Sequence, residues 1–266
     1  MAYLKAIATP LITLGSVSLG VLREMGAMSI FLLIALRKIF FRKQLRKIFI
    51  QIRLIGADSL FLILIISTFT GMVLGLQSYF VLRSLGSDGV LGTLVSLSLV
   101  RELGPVLSAI MITGRAGSAM AAEIGVMRIS EQLDALEVMD IDPMSFLIAP
   151  RLAACLIIFP LMTAIFDIVG ILGGFIAGTV IMDSNSGIYF FRVQSHVGMD
   201  DVLMSLIKSI AFALIVGTVS CYKGFFAHLR EDGAGPAAVN NATTSAVVSS
   251  CILILMFDYV ITSLMK

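Results

Sequence analysis

The sequence has no tryptophan, only two histidines and three cysteines, and just 14% of its 266 residues are charged. Each scarcity removes a class of function. His196 and His228 fall in separate polar loops on opposite sides of the membrane and cannot meet in one metal site or catalytic triad. Cys155, Cys221 and Cys251 each lie inside an apolar run, which reads as small buried hydrophobes rather than a disulfide framework or metal site. No GxxxxGK(S/T) phosphate cradle occurs, so the chain does not bind ATP in the P-loop manner. Ser118, beside Arg115 and Gly117, has no histidine at membrane depth to serve as its base. No catalytic residue, metal ligand or cofactor is therefore assigned to this chain. The formal charge of +2 is clustered rather than spread, and nothing points to nucleic acid.

What fills the sequence is hydrocarbon. Hydrophobic residues make up 58% of it and the mean hydropathy is +1.03, values of an integral membrane protein. Nothing alternates with period two strongly enough for a barrel, so the expected fold is an all-α membrane bundle. A spanning helix needs about 20 apolar residues. Five segments qualify, at 59–82, 90–114, 152–182, 202–222 and 242–264. Lys5, Pro10, Arg23–Glu24 and Arg37–Lys38 cut the N-terminal part into shorter pieces. A cleaved signal peptide would need a convincing small-x-small site, which Val17 to Met25 does not show, and a second apolar piece, Met25 to Leu36, follows. An amphipathic helix in the interface plane is the expectation. The chain then divides into an N-terminal interfacial and basic part, 1–53, and a five-span part, 54–266.

Arg37 to Lys47, RKIFFRKQLRK, carries six basic residues and no acid. Such a cluster beside a span stays cytoplasmic. Five spans then put the 83–89 and 183–201 loops outside, with only Arg83 and Arg192 as bases. The 115–151 and 223–241 loops fall inside with Arg115, Arg128, Arg151, Lys223 and Arg230. The N-terminus is expected in the cytoplasm and Lys266 outside. Tyr79, Phe80, Tyr189, Phe190 and Phe191 supply the interfacial aromatics that tryptophan does not.

Ionisable residues within spans are costly and mark functional candidates. Arg101 and Glu102 stand near the middle of the second expected span, followed by Gly104–Pro105, which is expected to bend or break the helix. They can line a wet cavity or pair with each other and brace that break. Lys208 in the fourth span can ion-pair, line the cavity or snorkel, and Asp167 and Asp258 are weaker candidates. Gly170, Gly174 and Gly178 recur every four residues and predict close helix packing, within one chain or across a dimer.

The densest polar stretch runs from Arg115 to Pro143. Between Glu123 and Asp142 it holds six acids against the single base Arg128, with Ile129, Leu133, Leu136 and Met139 threaded at spacings of three and four. It cannot lie in the bilayer, so a structured loop helix at the membrane surface is expected.

The sequence resembles the MlaE (YrbE-type) permeases of ABC lipid transporters that work with MCE-domain proteins. The resemblance is carried by Thr70 to Leu82, by the long block from Ser98 to Pro143, by Ala149–Pro150–Arg151, by SLIKS at 205–209 and by FDYVITSLM at 257–265. It implies a homodimer in the bacterial inner membrane, each copy with an interfacial N-terminal helix and five spans. It also implies a cytoplasmic ABC ATPase holding ATP and Mg, a periplasmic MCE-domain protein, and a small cytoplasmic STAS-domain subunit. In that family the cytoplasmic loop between the second and third spans carries a coupling helix. It maps here onto Arg128, Ile129, Glu131, Gln132, Leu133, Asp134, Leu136, Glu137 and Met139, with the apolar stripe as plug and the acids as rim. The implied cargo is phospholipid, with Leu74, Val81 and Leu82 on acyl chains and Arg101, Glu102 and Lys208 near the headgroup or gate. A proton-coupled carrier relaying through Arg101, Glu102, Asp167 and Asp258, or a scaffold that anchors an MCE assembly without transporting, are the competing readings. The lack of an inverted repeat weighs against the carrier.

Overall fold

The computed structural model describes residues 2–39, 45–84, 86, 88–229 and 235–265, and among these every regular element is helical. Among the described residues eight helices of seven residues or more organise the fold. In order they are α1 (Ala2–Ile39), α2 (Leu45–Ser84), α3 (Leu91–Ile129), α4 (Gln132–Val138), α5 (Met144–Ile181), α6 (Ser186–His196), α7 (Met199–Phe225) and α8 (Pro236–Leu264). Helices α2, α3, α5, α7 and α8 are the five long and apolar enough to cross a membrane, in the positions expected from hydropathy. Their ends extend well past the apolar windows. The acidic stretch between the second and third spans shrinks accordingly to residues 130–143 around α4.

Two expectations about breaks are corrected. Helix α1 is continuous from Ala2 to Ile39 and passes through Pro10 and Arg23–Glu24. A proline removes one backbone bond, which a helix of this length absorbs. Glu24 is ion-paired to Lys223 of α7 rather than terminating anything. Likewise α3 does not break at Gly104–Pro105. A π-turn over Leu99–Leu103 widens the helix one turn ahead of the proline, and the Gly104 N–H donates to the Leu99 carbonyl. A second π-turn covers Thr113–Gly117. Of the basic cluster, 40–44 lie outside the described residues. Lys38 pairs with Asp142, and Lys47 sits 3.1 Å over the Phe146 ring.

The bundle is held by backbone proximity between α2 and α5. Ser67, Gly71, Gly75 and Ser78 form a buried small-residue stripe on α2. It faces Gly170, Gly173 and Gly174 of α5. A Cβ at Gly71 would lie 1.9 Å from the Gly170 carbonyl oxygen, and one at Gly173 would lie 2.4 Å from that of Thr68. On the same helix, Gly174 and Gly178 admit Val95 and Leu91 of α3 at distances of 2.6 and 2.5 Å from an added Cβ. The glycine repeat therefore packs within the chain. Phe159, Phe166 and Phe212 fill the centre of the bundle.

Helix α6, between the third and fourth spans, was not expected. Asn185 caps it by accepting from the Gly187 and Ile188 N–H groups. Tyr189 is buried against Gly92 and donates its hydroxyl to the Ile171 carbonyl at 3.0 Å. At the opposite face, α1 packs through Phe31 onto Tyr222, Phe225 and Phe226.

Gly71→Ala drives a methyl into backbone and is expected to cost more than about 3 kcal/mol, scored as loss of monodisperse protein in detergent. Gly26→Ala, where an added Cβ meets nothing within 4 Å, should melt at or above the parent temperature, since alanine favours helix by up to about 1 kcal/mol.

Candidate functional site

Two polar constructions stand at opposite membrane faces, one on the face bearing α6 and one on the face bearing α4. Lys208 of α7 organises the first. Its side chain is wholly buried, with the ammonium 2.7 Å from Glu102 Oε2 and 2.8 Å from Asp258 Oδ1. The same ammonium donates to the Arg101 carbonyl at 2.9 Å. In an α-helix that carbonyl would be served by residue 105, and Pro105 has no N–H to offer. The lysine thus satisfies a backbone acceptor that the proline leaves, while the carboxylates satisfy the lysine.

Arg101 and Glu102 do not pair with each other. Arg101 donates from Nε to Asp201 Oδ1 at 2.6 Å, and the Thr262 hydroxyl donates to Glu102 Oε1 at 3.2 Å. Asp201 also caps α7, accepting from the Gly198 N–H at 2.9 Å. The cluster therefore fastens α3, α7 and α8 together. Lys208 does not snorkel: its side chain is wholly buried and its ammonium is met by Glu102, Asp258 and the Arg101 carbonyl. Arg101 and Glu102 are half-exposed and open into a pocket of about 220 Å³ between Asp200, Asp201, Met204 and Thr262. Because α3 continues to Ile129, the pair lies close to the Leu91 end rather than at mid-helix. Of the apolar cavity candidates on α2, Val81 is exposed, Leu74 half-buried and Leu82 buried.

At the other face, α4 is held by its own chain. Leu133 is completely buried among Phe31, Ile124, Ile148 and Leu152, with Leu136 packed against the same cluster. Ile129 is half-buried. The expected stripe thus faces inward, and its inner members are not free to plug another protein. The exposed large apolar residues are Val138, at 89%, and Met139, at 68%, with the small Ala135 exposed beside them. Beside them Glu131, Gln132 and Glu137 face outward. Arg128 locks the helix in place by donating to Asp134 Oδ1 at 2.6 Å and to His228 Nδ1 at 3.1 Å. Burial and the Arg128 charge hold the His228 imidazole below its ordinary pKa, so it stays a neutral acceptor.

Left-handed residues flank α4 on both sides, Glu131 at φ 59° and Asp140 at φ 57°. Asp140 closes the helix as a Schellman turn, with Ile141 N–H on the Leu136 carbonyl and Asp140 N–H on that of Glu137. Asp142 then accepts from the Ser145 N–H and hydroxyl and from Lys38. Partial burial alone would raise the Asp142 carboxyl, but the bonds from Lys38 and Ser145 outweigh it and hold it below its ordinary value. Farther in, the buried guanidinium of Arg151 reaches Glu123 at 2.7 Å.

Sequence reasoning brought forward Arg101, Glu102, Lys208 and Asp258, and the fold unites all four. It passed over Asp201 and Thr262. A carboxylate in the first turn of a helix reads as an ordinary cap, and a threonine in the last turn of a span carries no signal of its own.

Residues 48–264 match the Permease MlaE family. A probable ABC transporter permease protein of Rickettsia prowazekii is 39% identical over 91% of this chain and 92% of its own. The intermembrane phospholipid transport system permease protein MlaE of Haemophilus influenzae is 39% identical, with 81% of each chain covered. A probable ABC transporter permease protein of Synechocystis sp. is 38% identical over 81% of this chain and 80% of its own.

Lys208→Met strands two carboxylates and is expected to cost about 3–5 kcal/mol, whereas Glu102→Gln leaves Lys208 paired with Asp258 and should cost clearly less. Thermal melts of the two variants in one detergent decide this. The Asp142 contribution is present above its ordinary carboxyl pKa and is lost as pH falls through the depressed one. The melting difference between parent and Asp142→Asn should therefore be largest near neutrality and shrink below about pH 4.

Proposed function

The chain belongs to the MlaE permease family, and from that premise we propose that it is the membrane-spanning permease of an ABC system that moves phospholipid. The observation that carries this reading is the construction of α3. One helix bears Arg101 and Glu102 beside the pocket near one end and Arg128, the clamp of α4, at the other. A push on α4 is thereby delivered along a single element to the Lys208 cluster and the helices it fastens.

In this reading α4 is the coupling helix and a separate cytoplasmic ATPase, which holds the ATP and Mg, presses on it. The chain itself catalyses no reaction. The contact surface is the outward face: Glu131, Gln132, Glu137, Val138 and Met139 meet the partner. Leu133 and Leu136 transmit the load inward, and Arg128, Ile129 and Asp134 keep the helix in register. A small exposed apolar pair with acids at its rim suits a shallow groove edged by basic residues.

The α6 face then lies toward the periplasm and receives or delivers lipid through an MCE-domain partner. Two copies of the permease frame the lipid path. Val81 and Leu74 meet acyl chains with Leu82 packed behind them, while Arg101 and Glu102 front the pocket with Lys208 as their buried counter-charge. Helix α1 lies in the cytoplasmic interface, its N-terminus on that side, and a STAS-domain subunit joins the ATPase. This orientation agrees with the basic residues at the α4 face and their scarcity at the other.

Val138→Asp combined with Met139→Asp should leave the permease folded while abolishing stimulated ATP hydrolysis and lipid movement in the reconstituted assembly. Leu133→Asp should instead lower the melting temperature of the permease alone. Coupling that survives the exposed pair would overturn the assignment of α4.

A further inference from the structure

A second crevice lies between α5 and α7, apart from the Lys208 cluster. It has a volume of about 280 Å³ and is framed by Val100, Pro160, Ala164, Ile171 and Val197. Ile168, Val202 and Leu206 stand exposed at its mouth, at 61%, 48% and 43%. These are apolar positions on two spanning helices, so the crevice opens to hydrocarbon. Its wall nevertheless contains a carboxyl. Asp167 is 8% exposed and receives one long hydrogen bond, from the Ser205 hydroxyl to Oδ2 at 3.3 Å. Its Oδ1 has no hydrogen-bond partner and lies against Gly104, where an added Cβ would stand 1.7 Å away.

A carboxyl can accept up to about four hydrogen bonds, and a buried polar group left short of partners is costly. We propose that this crevice is a binding site for a neutral, single-chain amphiphile bearing a hydroxyl group, such as a monoacylglycerol or long-chain alcohol, with the hydroxyl on Asp167. Three features select that class. The volume lies just below the usual range of ligand pockets, about 300–1,000 Å³, which suits one chain and not two. No lysine, arginine or histidine stands among its described lining residues, so nothing there compensates a phosphate. Ser205, Ser209 and Thr163 add only neutral hydroxyls. The occupant is thus chemically distinct from a phospholipid cargo. Asp167 contacts Gly104 directly after the π-turn that carries Arg101 and Glu102, which places the ligand one residue layer from that cluster.

The test uses the full chain in phosphatidylcholine nanodiscs and a diazirine-bearing long-chain alcohol as photoprobe. Labelling is expected on peptides covering 160–171 and 197–209, with competition by monoacylglycerol. Ala164→Phe, at an exposed position, should fill the crevice and remove the label without touching Asp167. Asp167→Leu should reduce labelling about tenfold, the effect of one lost hydrogen bond to a buried group, while Asp167→Asn should retain it. Equal labelling by a diazirine phosphatidylcholine, label that persists in Ala164→Phe, or no label on these peptides would each overturn the site. None of these outcomes depends on ATP or on a partner subunit, so failure here is separable from failure of the transport reading.

Discussion

A charge placed wholly inside a membrane bundle must find its counter-charges among its neighbours, and Lys208 sets that condition for this fold. Its demand is met by three sources on two other helices: a carboxylate from α3, a carboxylate from α8 and a main-chain carbonyl freed by Pro105. No one of these helices can slide or rotate far without leaving an ion unpaired. The cluster is therefore a registration device as well as the wall of a pocket. Glu102 makes both roles visible, with one oxygen on the lysine and the other reached by Thr262.

Much of this was legible in the sequence, and what was not failed for identifiable reasons. Hydropathy located all five spans because hydrocarbon thickness is a strict rule. It misjudged their ends, because a helix does not stop where the bilayer does. The glycine repeat at 170, 174 and 178 announced tight packing, but a repeat on one helix does not name its partner. The answering pair Gly71 and Gly75, also four residues apart, stood in plain view within Thr70 to Leu82. Pro105 was read as a bend or a break because a proline's missing donor is local information. The π-turn and Lys208 that accommodate it are not.

The acidic loop shows the same limit in another form. Periodicity grouped Ile129, Leu133, Leu136 and Met139 as one stripe, but an apolar stripe carries no label for whose core it enters. Here Leu133 and Leu136 belong to the chain's own cluster with Phe31 and Leu152, and Met139 lies beyond the helix end on the outside. Arg128, the lone base among six acids, turned out to be spent within the chain on Asp134 and His228. What remains outward is small, acidic and rigidly mounted.

Considered as a screw, an α-helix turns about 100° and advances about 1.5 Å for each residue. The wider turns at Leu99–Leu103 and Thr113–Gly117 each interrupt that pitch, so α3 runs as three threads out of phase with one another. Between the first thread and the second, the wide turn itself aims Arg101 and Glu102 at α7 and α8. The second brings Ser108 to Thr163 of α5 at 2.8 Å, and the third carries Arg128 to α4. One helix reaches all three by changing its phase twice.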